Sequence, residues 1–269
     1  MVGDLVDLSR LSLQEIKELL ETRGPDRTVL DALARDPRQS ARVLYRQWAR
    51  RLAREVKEAG RVEELFRYEF QLVREGYETV AGVDEAGRGP LAGPVVAAAV
   101  VLPVPCVIMN LKDSKRLTPA QRAQAADEIR RLAVAWGIGL ASVEEINEFN
   151  ILQASLLAMR RALAAMDVRP DWVLVDGNQK IPGVGVPQRA LVKGDNTSAS
   201  VAAASILAKV FRDELMSACH WQYPLYDFPS HKGYATRAHY EALRRHGPCR
   251  LHRSAFLPAP RLFEGDGEA

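Results

Sequence analysis

Residues 79–103, TVAGVDEAGRGPLAGPVVAAAVVLP, constrain the fold more than any other stretch of the chain. Two apolar runs, rich in valine and alanine and bounded by glycine and proline, predict two strands. The nine residues after Glu85 hold three glycines, two prolines and an arginine, which predicts a tight loop between them. Asp84 and Glu85 stand side by side where the first run ends. Neighbours in a strand point to opposite faces, so both carboxylates can serve one site only if the strand ends or bends there. Gly87 permits that bend.

The chain on either side falls into regular patterns. Residues 1–78 read as a helical extension. SLQEIKELLETRG carries a capping box from Ser12 to Glu15 and stops at Gly24-Pro25. In the helix that follows, Arg38, Arg42, Arg46, Arg50 and Arg54 recur every fourth residue. That stripe suits a phosphate backbone as well as it suits a solvated helix face. Beyond the paired strands, Thr118 caps a helix that opens with Pro119 and closes a capping box at Gln121. GIGLASV reads as a third strand, and the following helical stretch breaks into two pieces around Asn150. DWVLVDG and QRALVKGD are two more strands, ending at Asp176 and near Asp195. TSASVAAASILAKVFRDELM is a long helix of small residues. Clustered strands followed by alternating strands and helices predict an α/β domain over 79–260 with a mixed central sheet. Residues 261–269 read as a frayed tail.

Composition closes off other classes. Of 269 residues, 47% are hydrophobic, enough for a sizeable core. The longest apolar stretch, Val95 to Met109, is broken by two prolines and is too short to span a bilayer. The N-terminus has no basic region before an apolar core, so no secretory signal is expected. Three widely spaced cysteines suit a reducing cytoplasm and no zinc site. The net charge of +3 would not by itself point to nucleic acid.

The chemistry lies in the carboxylates. Asp84, Glu85 and Asp176 sit at the ends of strands, and Asp195 follows another. Ligands of open α/β sheets gather at such ends. Converging carboxylates repel and raise one another's pKa unless a cation neutralises them. An all-oxygen set suits Mg²⁺ or Mn²⁺, and a pair of such ions serves in-line displacement at phosphorus. Taken singly, Asp176 could open an Asp-Gly turn and Asp195 could cap a helix. The pattern Gly87-x-Gly89-x-x-Ala92 formally fits a dinucleotide loop, but that motif must open a helix, and here a strand follows. Arg88 in the loop can donate to a phosphate. Lys112, Ser114 and Lys115 form a loop that fits phosphate contact or a solvated turn. The segment 228–256 mixes basic residues with aromatics, a texture that suits a nucleic-acid groove. Tyr234, after a glycine, stands out there, although a half-buried core tyrosine would look the same. His231, His246 and His252 read as helix-end or surface residues.

Taken in order, AGVDEAGRGPLAGPVVAAAVVL, LKDSKRLTP, LVDG, VKGDNTSASVAAASILAKVFRDELM, HKGYATRAH and GPCRLHRSAF resemble bacterial ribonuclease HII, the type 2 ribonuclease H, over about residues 79–258. The resemblance implies a ribonuclease H-like mixed sheet flanked by helices, with C-terminal helices and the N-terminal extension of some Gram-positive members. It implies that Asp84, Glu85, Asp176 and Asp195 bind two divalent ions, Mg²⁺ or Mn²⁺, with Asp84 bridging them. It implies that Gly87, Arg88, Gly89 and Tyr234 sense a ribonucleotide 2′-OH. Lys112, Ser114, Lys115 and Lys209 would lie along the substrate backbone, while Ser205 packs. The substrates would be RNA/DNA hybrids and duplex DNA carrying single ribonucleotides, as in ribonucleotide excision repair. The chain would act as a cytoplasmic monomer with no membrane and no obligate protein partner. Two rival readings are a non-catalytic hybrid binder and another two-metal enzyme of the same fold, such as a strand transferase.

Overall fold

The computed structural model describes Leu8 and residues 11–24, 27–106, 108, 111 and 117–257. The loop of Lys112, Ser114 and Lys115 and the 261–269 tail lie outside them. The chain forms two compact units, Met1–Arg61 and Val62–Ala269.

In the first unit, α1 (Leu13–Arg23), α2 (Arg27–Arg35) and most of α3 (Gln39–Leu65) enclose a small core around Ile16, Leu20, Leu33 and Trp48. The capping box is present: Ser12 Oγ accepts from the Glu15 N–H, and Glu15 accepts from the Ser12 N–H at 2.7 Å. The first arginine of the stripe works inside this unit. Arg38 forks onto Asp36 and donates to the carbonyls of Leu8 and Leu11. Arg46, Arg50 and Arg54 are exposed along α3.

The second unit begins with the last turn of α3 and α4 (Arg67–Arg74). Its centre is a five-stranded mixed sheet in the order β3-β2-β1-β4-β5. The strands are β1 (Val80–Ala86), β2 (Val95–Val101), β3 (Ala135–Ala141), β4 (Trp172–Asp176) and β5 (Gln188–Leu191). β1, β2 and β3 run antiparallel in turn, while β4 and β5 run parallel to β1. The helices α5 (Pro119–Leu132) and α7 (Ala199–Ala218) cover one face, and α6 (Val143–Ala164) covers the other. Thr118 caps α5 through the box with Gln121. Asn150 breaks α6 at φ 69°, and its side chain accepts from the N–H groups of Leu152 and Gln153 to restart the helix. The short α8 (Phe228–His231) and α9 (Arg237–His246) close the C-terminal end. Among the described residues no helix is long and apolar enough to cross a membrane.

Alternation along β1 sorts its side chains between the faces. Ala81 and Val83 pack toward α6. Gly82 faces α7, where a Cβ would lie 2.1 Å from the carbonyl carbon of Ser200. The helix can approach this closely because its buried face is largely alanine and serine. No side chain fits between strand and helix, so Gly82→Ala must push α7 outward. The expected cost is about 3 kcal/mol or more, measured as a lower urea midpoint with an unchanged denaturant slope.

Candidate active site

The contact at Gly82 sets the register of the site. Asp84 lies two residues along the strand, about 6.6 Å. Ser205 lies five residues along α7 from Ser200, about 7.5 Å. The two residues therefore meet, and a hydrogen bond from Ser205 holds the Asp84 carboxylate. Ser205, expected only to pack, belongs to the site. β4 runs parallel to β1 with Val83 beside Val175, which brings Asp176 to the same end of the sheet. Asp176 Oδ1 accepts from the Gly194 N–H at 2.7 Å, and so anchors the turn that carries Asp195.

One cavity gathers the four predicted acids, the loop Gly87-Arg88-Gly89, Lys209 and Tyr234. Asp84 is 6% exposed and Asp195 9%. Burial, together with the charges of Glu85 and Asp176, pushes the Asp84 pKa well above the ordinary carboxylate range. Burial also raises Glu85, against the opposing pull of Arg88, whose guanidinium lies 3.0 Å from Glu85 Oε1. The other oxygen, Glu85 Oε2, is buried with no hydrogen-bond partner among the described residues. Crowded, desolvated carboxylates with an unpartnered oxygen suit a divalent cation. Among the described residues, no three acidic, imidazole or thiolate groups form a complete ligand set. The donors present fit Mg²⁺ or Mn²⁺, ions that keep waters and take substrate phosphate oxygens alongside one or two carboxylates. Lys209 pairs with Asp213 at 2.6 Å, and its ammonium lies 5.4 Å from the centre of the Tyr234 ring. Tyr234 is 39% exposed.

The glycine loop is held from beneath by two arginines that local sequence patterns did not single out. Arg253 is fully buried and donates to the carbonyls of Gly87 (2.6 Å), Arg88 (2.9 Å) and Gly93 (2.9 Å). Arg212, on α7 and equally buried, donates to the carbonyls of Ala92, Pro94 and Lys232. Burial lowers both pKa values, and the neighbouring Arg212 helps bring Arg253 down to about 9. Both remain charged at neutral pH. Gly87 has φ +95°, and a Cβ there would strike the Arg212 side chain at 2.0 Å. The glycine thus meets a backbone demand and a packing demand together.

His246 is exposed at the end of α9, as expected, and His231 ends α8. His231 and His252 are nonetheless buried, and so is His239. His252 Nδ1 accepts from the Cys249 N–H, so its Nε2–H donates to His239 Nε2 at 3.0 Å. His239 Nδ1–H then donates to the carbonyl of Tyr234 at 2.9 Å. The tautomers follow from these partners, and all of them are neutral. The chain fixes the backbone of Tyr234.

Comparison with known proteins places these residues in context. A family model described as Ribonuclease HII matches residues 81–258, and one described as Ribonuclease HII N-terminal domain matches residues 12–73. The ribonuclease HII of Pelotomaculum thermopropionicum is 51% identical over 254 residues, 93% of this chain and 95% of the relative. The crystal structure of ribonuclease H2 from Pyrococcus horikoshii OT3 superposes with a TM-score of 0.57 at 28% identity, covering 69% of this chain and 97% of that one. Bst-RNase HIII in complex with Mn²⁺ shares the fold, with a TM-score of 0.54 at 22% identity over 66% of each chain.

Burial lowers the pKa of all three histidines, that of His252 to about 4. Unfolded imidazole titrates near pH ~6.5. A depressed folded pKa gives stability that is complete above about pH 6.5 and drains away as pH falls toward about 4. The loss from His252 alone should reach up to about 3 kcal/mol. Urea denaturation between pH 7 and pH 4.5 should show it, and His252→Gln should flatten the acid limb.

Proposed function

From the premise that the chain belongs to the ribonuclease HII family, we propose that it hydrolyses the RNA strand of RNA/DNA hybrids and nicks duplex DNA 5′ of single ribonucleotides. It is a metal-dependent ribonuclease, a hydrolase. The observation that carries the finer reading is the shared cavity, with four carboxylates on one side and the glycine loop and Tyr234 on the other. In this reading 79–260 is the catalytic domain and 1–78 the helical extension.

Asp84, Glu85, Asp176 and Asp195 would hold the divalent ions. When bound, those ions supply an activated water and neutralise charge at the scissile phosphate, leaving a 3′-hydroxyl and a 5′-phosphate. The protein's own residues do the rest. Ser205 orients Asp84, and the Gly194 N–H orients Asp176. Gly87 and Gly89 let the backbone approach a sugar closely, where a 2′-OH distinguishes RNA from DNA. Tyr234 offers a ring face and a hydroxyl at the same mouth. Arg88 and Lys209, now paired with Glu85 and Asp213, can exchange those partners for phosphate.

The decisive assay uses a DNA duplex with one ribonucleotide, with an all-DNA duplex as control, in Mg²⁺, Mn²⁺ or EDTA. The expected result is a metal-dependent nick on the 5′ side of the ribonucleotide and an intact control. Cleavage of the control would point to a general nuclease, and binding without cleavage to a hybrid binder. Asp84→Asn should cut the rate by about 10³-fold or more while leaving hybrid binding intact. It should also raise the unfolding temperature of the metal-free protein, because an ionised buried Asp84 opposes folding at neutral pH. Tyr234→Ala should lower cleavage at single ribonucleotides by about 10-fold or more and spare long hybrids. Equal losses on both substrates would remove the 2′-OH role.

A further inference from the structure

Glu69 lies in α4, ahead of the sheet and outside every motif of the catalytic domain, yet it is completely buried. Its Oε1 accepts from the Ser198 hydroxyl at 2.6 Å and from the Ser200 N–H at 2.9 Å. Ser198 is the N-cap of α7, and Ser200 is the second residue of that helix. Glu69 therefore caps α7 from a segment 129 residues earlier in the chain. A carboxyl oxygen at a helix N-terminus satisfies free N–H groups and meets the positive end of the helix dipole.

The contact continues into the acids. The Ser198 N–H donates to the carbonyl of Gly194 at 2.8 Å, and the Gly194 N–H donates to Asp176 Oδ1 at 2.7 Å. Both ties end on Gly194, the residue before Asp195: its N–H is held by Asp176 and its carbonyl by Ser198, which Glu69 holds in turn. The start of α7 is also the part of the helix pressed against Gly82.

We propose that Glu69 is a positioning residue for the divalent-ion site: by anchoring the first turn of α7 it fixes Asp195 relative to Asp176 and Asp84, and so sets metal affinity. The inference rests on the reading of the four acids as metal ligands. Glu69 holds Ser198 and Ser200 through Oε1 and lies completely buried outside the cavity of the four acids, so it is not itself a ligand. Burial raises its pKa, so a neutral amide is a close mimic of the group.

The test measures Mn²⁺ binding to the full-length, substrate-free protein, by loss of the free-ion electron paramagnetic resonance signal. It is run on wild type, Glu69→Ala, Glu69→Gln and Glu69→Asp, with urea denaturation in parallel. Glu69→Ala should weaken Mn²⁺ binding about tenfold and raise the Mg²⁺ needed for half-maximal cleavage by the same factor. Its kcat at saturating Mg²⁺ should stay within about threefold of wild type. Glu69→Gln keeps an acceptor oxygen at full reach and should bind Mn²⁺ like wild type. Glu69→Asp draws the acceptor back by one methylene and should fall between, which keeps the test available if the alanine variant fails to fold. Lower stability with unchanged Mn²⁺ binding would overturn the proposal, as would a glutamine variant as impaired as the alanine one. Asp84→Asn separates the two readings: if it binds Mn²⁺ like wild type, the assignment of the metal site is at fault rather than the role of Glu69.

Discussion

The approach of α7 to β1 across Gly82 is the contact on which the site depends. Helix and strand advance along their axes at different rates, and their residues fall into step only if the two are pressed together at a defined point. Gly82 provides that point because any side chain would occupy the space of the Ser200 backbone. From there, Asp84 meets Ser205, and the turn before α7 carries Asp195 to the end of β4. A one-residue slip of β1 would send Asp84 to the α6 face and replace it with Glu85 or Val83. The glycine therefore fixes the register of the acid cluster as well as a packing distance.

That register gathers charges that oppose folding. Asp84 and Glu85 are driven toward their neutral forms by burial and mutual repulsion, while Arg212 and Arg253 are cations buried against carbonyls. The two sets do not neutralise each other. Six carbonyl oxygens satisfy the guanidinium groups and leave their net charge beneath the loop. Among the described residues, Glu85 Oε2 is buried with no donor. A cavity with anions on one wall and buried cations behind the other is electrostatically incomplete. Cations on the first wall and a phosphate chain against the second would complete it.

The parts of this arrangement that were legible in sequence are those with a local signature. The runs around Asp84 and Asp176 announced strands, and Ser12, Thr118 and Asn150 announced the ends and the break of helices through capping chemistry. The four acids stood out because charge at a strand end is costly without a reason. Glu69, Arg212 and Arg253 left no such trace. Each sits in a helix or loop where a charged residue is ordinary, and each is made exceptional only by a partner more than a hundred residues away. The burial of His231 and His252 is not legible in sequence for the same reason. Local pattern describes a polar residue's own element, whereas its burial is decided by what the rest of the chain lays over it.

The two halves of the cavity are built on different frames, and α7 belongs to both. Its first turn, held by Glu69, carries the Asp195 side of the acid cluster. Two turns further on, Ser205 touches Asp84. Two turns beyond that, Arg212 reaches under the glycine loop and binds the carbonyl of Lys232, next to the segment that presents Tyr234. A single rigid rod thus spaces the carboxylates from the groups that would face the sugar. The spacing between the acid cluster and the segment that presents Tyr234 is then a property of one helix, about 1.5 Å per residue. The proposed 5′ nick, one phosphodiester away from the sugar that would be recognised, requires that kind of ruler.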